Sequence, residues 1–291
     1  MKPAPFAYYD PTSLAEASAL LARHENARLL AGGQSLMPMM NFRYVTPDHL
    51  IDLNKIPSLA GIGIADGALR FGAMTRQRDI EFSAEVKRLC PVMQEALAHV
   101  GHRQTRNRST IGGSLCHLDP AAELVNMTAL YGGTLEAESA RGKRVLAFDA
   151  FAAGFMASSL ESDEILTSVS ITPWRPRHGY AFLELARRHG DFAIVAASAL
   201  IELDRRGQIA RAALALSGLG PVPARLEKAI ALLQGAAPKR EAFLAAAEEA
   251  GTIEAMSDAY YSAAYRQHLA RVLTRRVLEQ AAHRATERSA T

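Results

Sequence analysis

Two stretches of this 291-residue chain place paired glycines just ahead of a hydroxyl: Ala31-Gly32-Gly33-Gln34-Ser35-Leu36 and Thr110-Ile111-Gly112-Gly113-Ser114-Leu115. Glycine has no Cβ, so the backbone can approach a ligand closely. Exposed N–H groups in such a turn form an anion-binding concavity. Asp119-Pro120 then stops the extended chain, Pro120 suiting the first turn of a following helix and Asp119 its cap. The second stretch reads as a phosphate-handling loop running into a helix, with carboxylates at Asp119 and Glu123 beside it. A single Gly-Gly pair is more often a structural turn. Two of them, each with a hydroxyl close behind, suit a ligand carrying two phosphates.

Other chemistries fail on inspection. Gly61-Ile62-Gly63 begins a dinucleotide fingerprint, but the third glycine is replaced by Asp66 and the segment reads as a hairpin. Residues 33–37 lack the final glycine of a nucleophile elbow, and neither glycine pair is followed by a Walker lysine. His99, His102 and His117 have no zinc-site spacing and read as ordinary hydrogen-bonded histidines.

The whole chain narrows the classes further. Its length suggests about two domains, and nearly half its residues are apolar. A formal net charge of +3 with scattered basic residues argues against nucleic-acid binding. There is no apolar leader after Met1-Lys2, and no apolar run approaches the roughly 18 residues of a membrane span. The chain is expected to be cytoplasmic. Cys90 and Cys116 are the only cysteines, too few to ligate an iron–sulfur cluster unaided.

Elements that would position the loops follow in order. Residues 6–9 are extended, and Ser13 with Glu16 forms a capping box for a helix burying Leu14, Ala17, Leu20, Leu21 and His24. Residues 27–30 and 49–53 read as short strands, the first ending at Gly32-Gly33. A hairpin turns at Asp66-Gly67, helical pieces over 75–98 break at Pro91, and the basic segment 101–108 leads to Thr110. A helix spans 121–131, strands 134–138 and 143–147 pair, and 165–172 forms a further strand. After a linker at 173–176, strands 180–187, 193–203 and 208–217 form a meander. Helices are expected at 224–234, 239–250 and 258–283, the last packing Tyr261, Tyr265, Leu269, Val272, Leu273, Arg276 and Val277 near one stripe. The tail 284–291 is expected to fray.

Together with Asp119-Pro120-Ala121-Ala122-Glu123-Leu124 and Arg187-Arg188-His189-Gly190-Asp191-Phe192-Ala193, the glycine stretches resemble the FAD-binding medium subunit of the molybdenum hydroxylases, the family of carbon monoxide dehydrogenase, quinoline oxidoreductase and xanthine dehydrogenase. The likeness covers nearly the whole chain. It implies an α+β fold: a two-lobed FAD-binding domain of the vanillyl-alcohol-oxidase-like (PCMH-type) class over 1–175, with lobes 1–57 and 58–175. A smaller domain with a three-stranded antiparallel sheet and helices would occupy 176–291.

The resemblance also implies roles. The amides of 31–35 would hold the pyrophosphate of non-covalent FAD, and 110–114 would wrap the phosphates and ribityl chain. His117 and Asp119 would lie on the flavin or ribityl side. Glu123 would accept hydrogen bonds from FAD hydroxyls, unless it is only a helix-surface carboxylate. Leu166 would contribute a backbone contact. Asp191 and Phe192 would lie near the isoalloxazine ring, where several relatives have Asp-Tyr, unless Phe192 is merely a core aromatic. Molybdenum–pterin would sit on a large subunit and two [2Fe-2S] clusters on a small one, the whole a dimer of three-subunit units passing electrons to an external acceptor. A self-sufficient FAD oxidoreductase and a flavin-free scaffold are the alternatives.

Overall fold

The computed structural model describes residues 1–290. The chain begins with β1 (Ala7–Tyr9), α1 (Leu14–Arg23), β2 (Ala27–Leu30), α2 (Leu36–Asn41) and β3 (His49–Asp52). Ser13 Oγ accepts from Glu16 N at 3.2 Å, while the Glu16 carboxylate returns to Thr12 N at 2.9 Å. The cap therefore closes one residue earlier than a capping box would. Ala17 and Leu21 are buried with Ile51 and Leu53 in a small core. β1 and β2 both pair in parallel with the central β3. Parallel strands send their carboxyl ends to one edge, where α/β units bind ligands, and β2 delivers residues 31–35 there.

The second lobe opens with β4 (Ile62–Ala65) and β5 (Ala68–Gly72). Asp66 (φ 51°) and Gly67 (φ 76°) give the left-handed pair that a type I′ hairpin requires. Three short helices follow, α3 (Gln77–Phe82), α4 (Ala84–Leu89) and α5 (Pro91–Leu97), separated at the Ser83 cap and at Pro91. Then come α6 (Arg103–Arg108), α7 (Ile111–His117), α8 (Glu123–Tyr131), β6 (Thr134–Ser139), β7 (Gly142–Ala147), α9 (Phe148–Phe151), β8 (Ala152–Gly154), β9 (Ala157–Ser158) and β10 (Ile165–Ile171). The five-stranded sheet runs β4-β5-β10-β6-β7, antiparallel throughout. Its register slips between Leu166 and Ser168, and the carbonyl of Thr167 accepts instead from Ala73 N at 2.9 Å.

The C-terminal part contains β11 (Gly179–Ala186), β12 (Ala193–Leu203), β13 (Ile209–Ser217) and β14 (Ala224–Arg225), hydrogen-bonded in that order. The sheet therefore has a fourth, two-residue strand where three were expected, and α10 (Glu227–Leu233) starts only after it. β12 is buried on both faces: Ala196 and Leu200 join the core shared with α8, while Val195 and Ile201 join the core under α11 (Arg240–Ala250) and α12 (Ala263–Ala290). Gly179 must be glycine because a Cβ there would lie 1.8 Å from the Ala281 carbonyl oxygen of α12.

The terminal helix departs from expectation in two ways. Tyr261 precedes it and stacks on the half-exposed Tyr265, and the buried face runs through Leu269, Ala270, Leu273, Val277 and Leu278 rather than Val272 and Arg276. Nor does the chain fray at 284. Helix α12 continues to Ala290, with Arg284 Nη1 donating to Tyr180 O at 2.8 Å and Arg288 Nη1 to His178 O at 3.0 Å. Thr291 lies outside the described residues. Among the described residues no helix is long and apolar enough to cross a membrane.

Candidate functional site

Directly after β2 the chain turns on Gly33, whose φ of 74° is left-handed. Gly32 presses against the chain entering α7, where a Cβ would come within 2.3 Å of the Arg108 carbonyl oxygen. Three carbonyls of this turn are occupied: Met37 N donates to Gly33 O, Met39 N to Ser35 O, and Asn54 Nδ2 to Ala31 O at 2.9 Å. Its donors are not. Among the described residues, none accepts from the N–H groups of Gly32, Gly33, Gln34 or Ser35. Consecutive free donors around a left-handed glycine form a nest for an anion.

The second glycine pair is built differently, which corrects the sequence expectation of a loop. Residues 111–117 are helical, so Gly112 and Gly113 occupy the first turn of α7. Thr110 caps that helix, its Oγ1 accepting from Gly113 N at 3.0 Å. Ile111 N donates to Thr75 O at 3.1 Å and Gly112 N to Ala73 O at 2.8 Å. The amides expected to face phosphate are thus already bonded to protein. Gly112 is required for packing instead, since a Cβ there would fall 2.6 Å from Ala73 Cβ. The two pairs do meet: a Cβ on Gly113 would stand 3.5 Å from Ala31 Cβ.

Asp119 needs a similar correction. Leu118 leaves α7 in a left-handed conformation (φ 53°), and Asp119 Oδ1 accepts from Ala121 N at 2.9 Å. The residue before α8 is Ala122, with no side-chain cap, so Asp119 shapes the turn without capping the helix.

A cavity of about 830 Å³ lies between these elements. Its wall includes Ala31, Gly32, Gly33, Gln34, Ser35, Leu36, Thr110, Gly112, Gly113, Ser114, His117, Asp119, Glu123, Leu166, Asp191 and Phe192. Of the sequence candidates only Ile111 is absent, because its side chain is fully buried in the core. Phe192 stands at the mouth, 64% exposed, which removes the reading of it as a core aromatic. Met74, Gln77, Thr105, Ser109, Cys116, Met156 and Ser158 also line the cavity. No motif marked them, since they arrive through contacts between distant segments. A smaller cavity of about 420 Å³ borders residues 32–34 with Met37, Asn41 and Arg108. Arg108 is therefore the member of the basic segment that reaches the turn. Arg106 is bound to Glu81 at 2.9 and 3.1 Å and to Val100 O at 2.8 Å.

The wall is electrostatically unusual around α8. Glu123 is 5% exposed, and burial pushes its carboxyl up to about 8, with Glu184 and Asp119 adding to the rise. Asp119 is also raised by burial, and burial lowers His117. Behind Glu123, His99 Nδ1 stands 3.3 Å from Glu184 Oε1, a bond that raises the histidine's pKa. Cys116 is a free, exposed thiol on the cavity wall. A wall of neutral or reluctantly charged groups, with one nest of free donors, suits a large ligand whose own charge is concentrated on phosphates.

Comparison with known proteins agrees. The profile of the FAD binding domain in molybdopterin dehydrogenase matches residues 4–175, and that of the CO dehydrogenase flavoprotein C-terminal domain matches residues 180–281. The 6-hydroxypseudooxynicotine dehydrogenase complex subunit alpha of Paenarthrobacter nicotinovorans is 35% identical over 98% of this chain and 97% of its own. Quinoline 2-oxidoreductase from Pseudomonas putida 86 superposes with a TM-score of 0.94 at 36% identity, covering 98% of this chain and 99% of that one. Carbon monoxide dehydrogenase from Hydrogenophaga pseudoflava, in a form lacking the Mo-pyranopterin moiety of its molybdenum cofactor, gives 0.94 at 34% identity over 98% and 99%.

Proposed function

This chain belongs to the family of FAD-binding subunits of the molybdopterin dehydrogenases, and on that premise we propose that its large cavity holds FAD with the diphosphate seated on residues 31–36. It is the FAD-carrying medium subunit of a multi-subunit molybdenum hydroxylase, an oxidoreductase component with an electron-transfer role. FAD supplies the redox chemistry when bound, relaying electrons from iron–sulfur centres on a partner to an external acceptor.

One observation carries the site assignment: the run of unpartnered N–H groups at Gly32, Gly33, Gln34 and Ser35 on the cavity wall. Such donors are costly to leave unmade in a folded protein and are ready for phosphate oxygens. The cavity also lies within the roughly 300–1,000 Å³ common for cofactor pockets. Glu123, buried on the cavity wall, offers its carboxyl to a ligand hydroxyl. Ser114 presents a hydroxyl from α7, Leu166 and His117 close the sides, and Asp191 and Phe192 frame the mouth. Thr110, Gly112 and Gly113 form the wall that faces the first turn, and Ile111 anchors it from the core.

The finer organisation is proposed with the site. A FAD-binding domain covers 1–175, with lobes 1–57 and 58–175, and a second domain covers 176–291. A large molybdopterin-binding subunit and a small iron–sulfur subunit complete the unit, two such units pair, and the assembly works in the cytoplasm.

A tagged chain purified under non-denaturing conditions tests this reading. It should be yellow and should bring down two further polypeptides containing molybdenum and iron. A yellow chain that oxidises a substrate without partners would favour a self-sufficient enzyme. A colourless chain carrying the same partners would favour a scaffold.

A further inference from the structure

Ala31 stands on the cavity wall immediately before the free donors of the nest, and its carbonyl oxygen accepts from Asn54 Nδ2 at 2.9 Å. The peptide joining Ala31 to Gly32 is trans and planar, so this carbonyl and the Gly32 N–H point in opposite directions. Holding the oxygen toward Asn54 therefore turns the first donor of the nest away from Asn54. Asn54 sits in a short 3-10 turn (Leu53–Lys55) directly after β3. Its own N–H donates to Asp52 Oδ1 at 2.8 Å, and Nδ2 bonds the same carboxylate oxygen.

The other end of the Asn54 amide is engaged from the second lobe. Asn54 Oδ1 accepts from Arg76 Nη2, while Arg76 Nη1 donates to Arg108 O, the oxygen against which Gly32 presses. Only one orientation of the amide satisfies these groups. A guanidinium can only donate, so the amide oxygen must face Arg76, and the nitrogen must face the acceptors Ala31 O and Asp52 Oδ1. Arg76 is itself fixed through its backbone, which bridges Thr110, and through Gln77 N, which donates to Ser109 O at 2.9 Å. Neither Asn54 nor Arg76 lines the cavity, so both act from behind its wall.

We propose that Asn54 and Arg76 are positioning residues for a diphosphate, locking the turn after β2 against the chain entering α7 and so aiming the donors of the nest at ligand phosphate. One guanidinium and one amide do this by joining three backbone segments that are far apart in sequence. The inference rests on the reading of this cavity as the FAD site, and adds two residues outside it that no sequence motif marks.

The test uses the full chain and Asn54→Asp, which keeps the shape and an acceptor for Arg76 but sets an oxygen opposite Ala31 O. FAD and ADP are titrated separately. Both should bind about tenfold or more weakly, because the diphosphate is the part they share. FAD bound at saturation should keep the visible spectrum it has in the parent, since the flavin ring is not what the two residues position. Asn54→Ala, Arg76→Met and the double variant complete a cycle. The pair acts as one unit, so the double variant should lose little more affinity than the weaker-binding single variant. Unchanged affinity in Asn54→Asp would overturn the proposal, as would a loss confined to FAD, a shifted spectrum, or additive losses in the cycle. If Asn54→Asp does not fold, Arg76→Lys is read by the same criteria, because it keeps the charge without the fork that spans Asn54 and Arg108 O. Failure of the parent chain itself to bind FAD would instead remove the site assignment.

Discussion

A Cβ on Gly32 would stand 2.3 Å from the carbonyl oxygen of Arg108, so the turn after β2 and the chain entering α7 touch backbone to backbone. This contact, with Gly113 against Ala31, sets the proposed phosphate nest against the helix facing it.

Gly32→Ala should therefore separate the two segments. Forcing a methyl into a backbone contact costs about 1–3 kcal/mol, and the nest loses its geometry with it. The visible flavin absorbance per chain should fall together with the thermal midpoint. Gly63→Ala, where a Cβ meets nothing within 4 Å, is the matched control and should change neither. Full flavin content in Gly32→Ala would mean that the contact is incidental.

Protonation of Glu123 has a definite sign. Its carboxyl moves from an ordinary value of 4.5 to about 8, through burial first. Between those pH values the unfolded chain releases a proton that the folded chain keeps, so stability falls as pH rises across that window. His99 acts in the same direction: its pKa is raised chiefly by the bond to Glu184, so its contribution is present below 6.5 and lost as pH climbs through the folded value. Glu123→Gln should flatten the decline in thermal midpoint from pH 4.5 to 8 and leave the part of the His99 contribution that its bond to Glu184 sets. Parallel curves for parent and variant would show that Glu123 is ionised in the folded chain.

The C-terminal helix should matter more than a frayed tail would. Arg284 donates to Tyr180 O at 2.8 Å, pairs with Glu95 Oε1 at 2.8 Å and lies 4.6 Å from the Tyr180 ring centroid. Arg284→Ala should cost about 2 kcal/mol, the scale of hydrogen bonds to a charged group. The exposed Arg276→Ala should be nearly silent in the same denaturation experiment. Equal midpoints for the two variants would mean that the last turns of α12 are not anchored.

Much of the architecture was written locally. Asp66-Gly67 specified its hairpin, Ser13 its helix start, and Pro91 a helix break, because each acts through the backbone of its immediate neighbours. Residues 165–172 and 193–203 read as strands, and both form strands with mostly buried side chains. The glycine pairs located the cavity, and all but one of the candidate residues line it.

What the residue order could not reveal was which polar groups remain free. Gly33 and Gly113 look alike in sequence, yet the amides beside Gly33 are open, while Ile111 and Gly112 donate to Thr75 and Ala73 and Gly113 donates to the Thr110 cap. Arg284 carried no signal for the same reason, since its partners arrive only once distant segments pack. Local sequence sets where the chain turns, coils and extends, through steric and capping forces that reach a few residues. Whether a donor meets a carbonyl or an empty cavity depends on segments brought together by burial of apolar surface, and that only the tertiary structure decides.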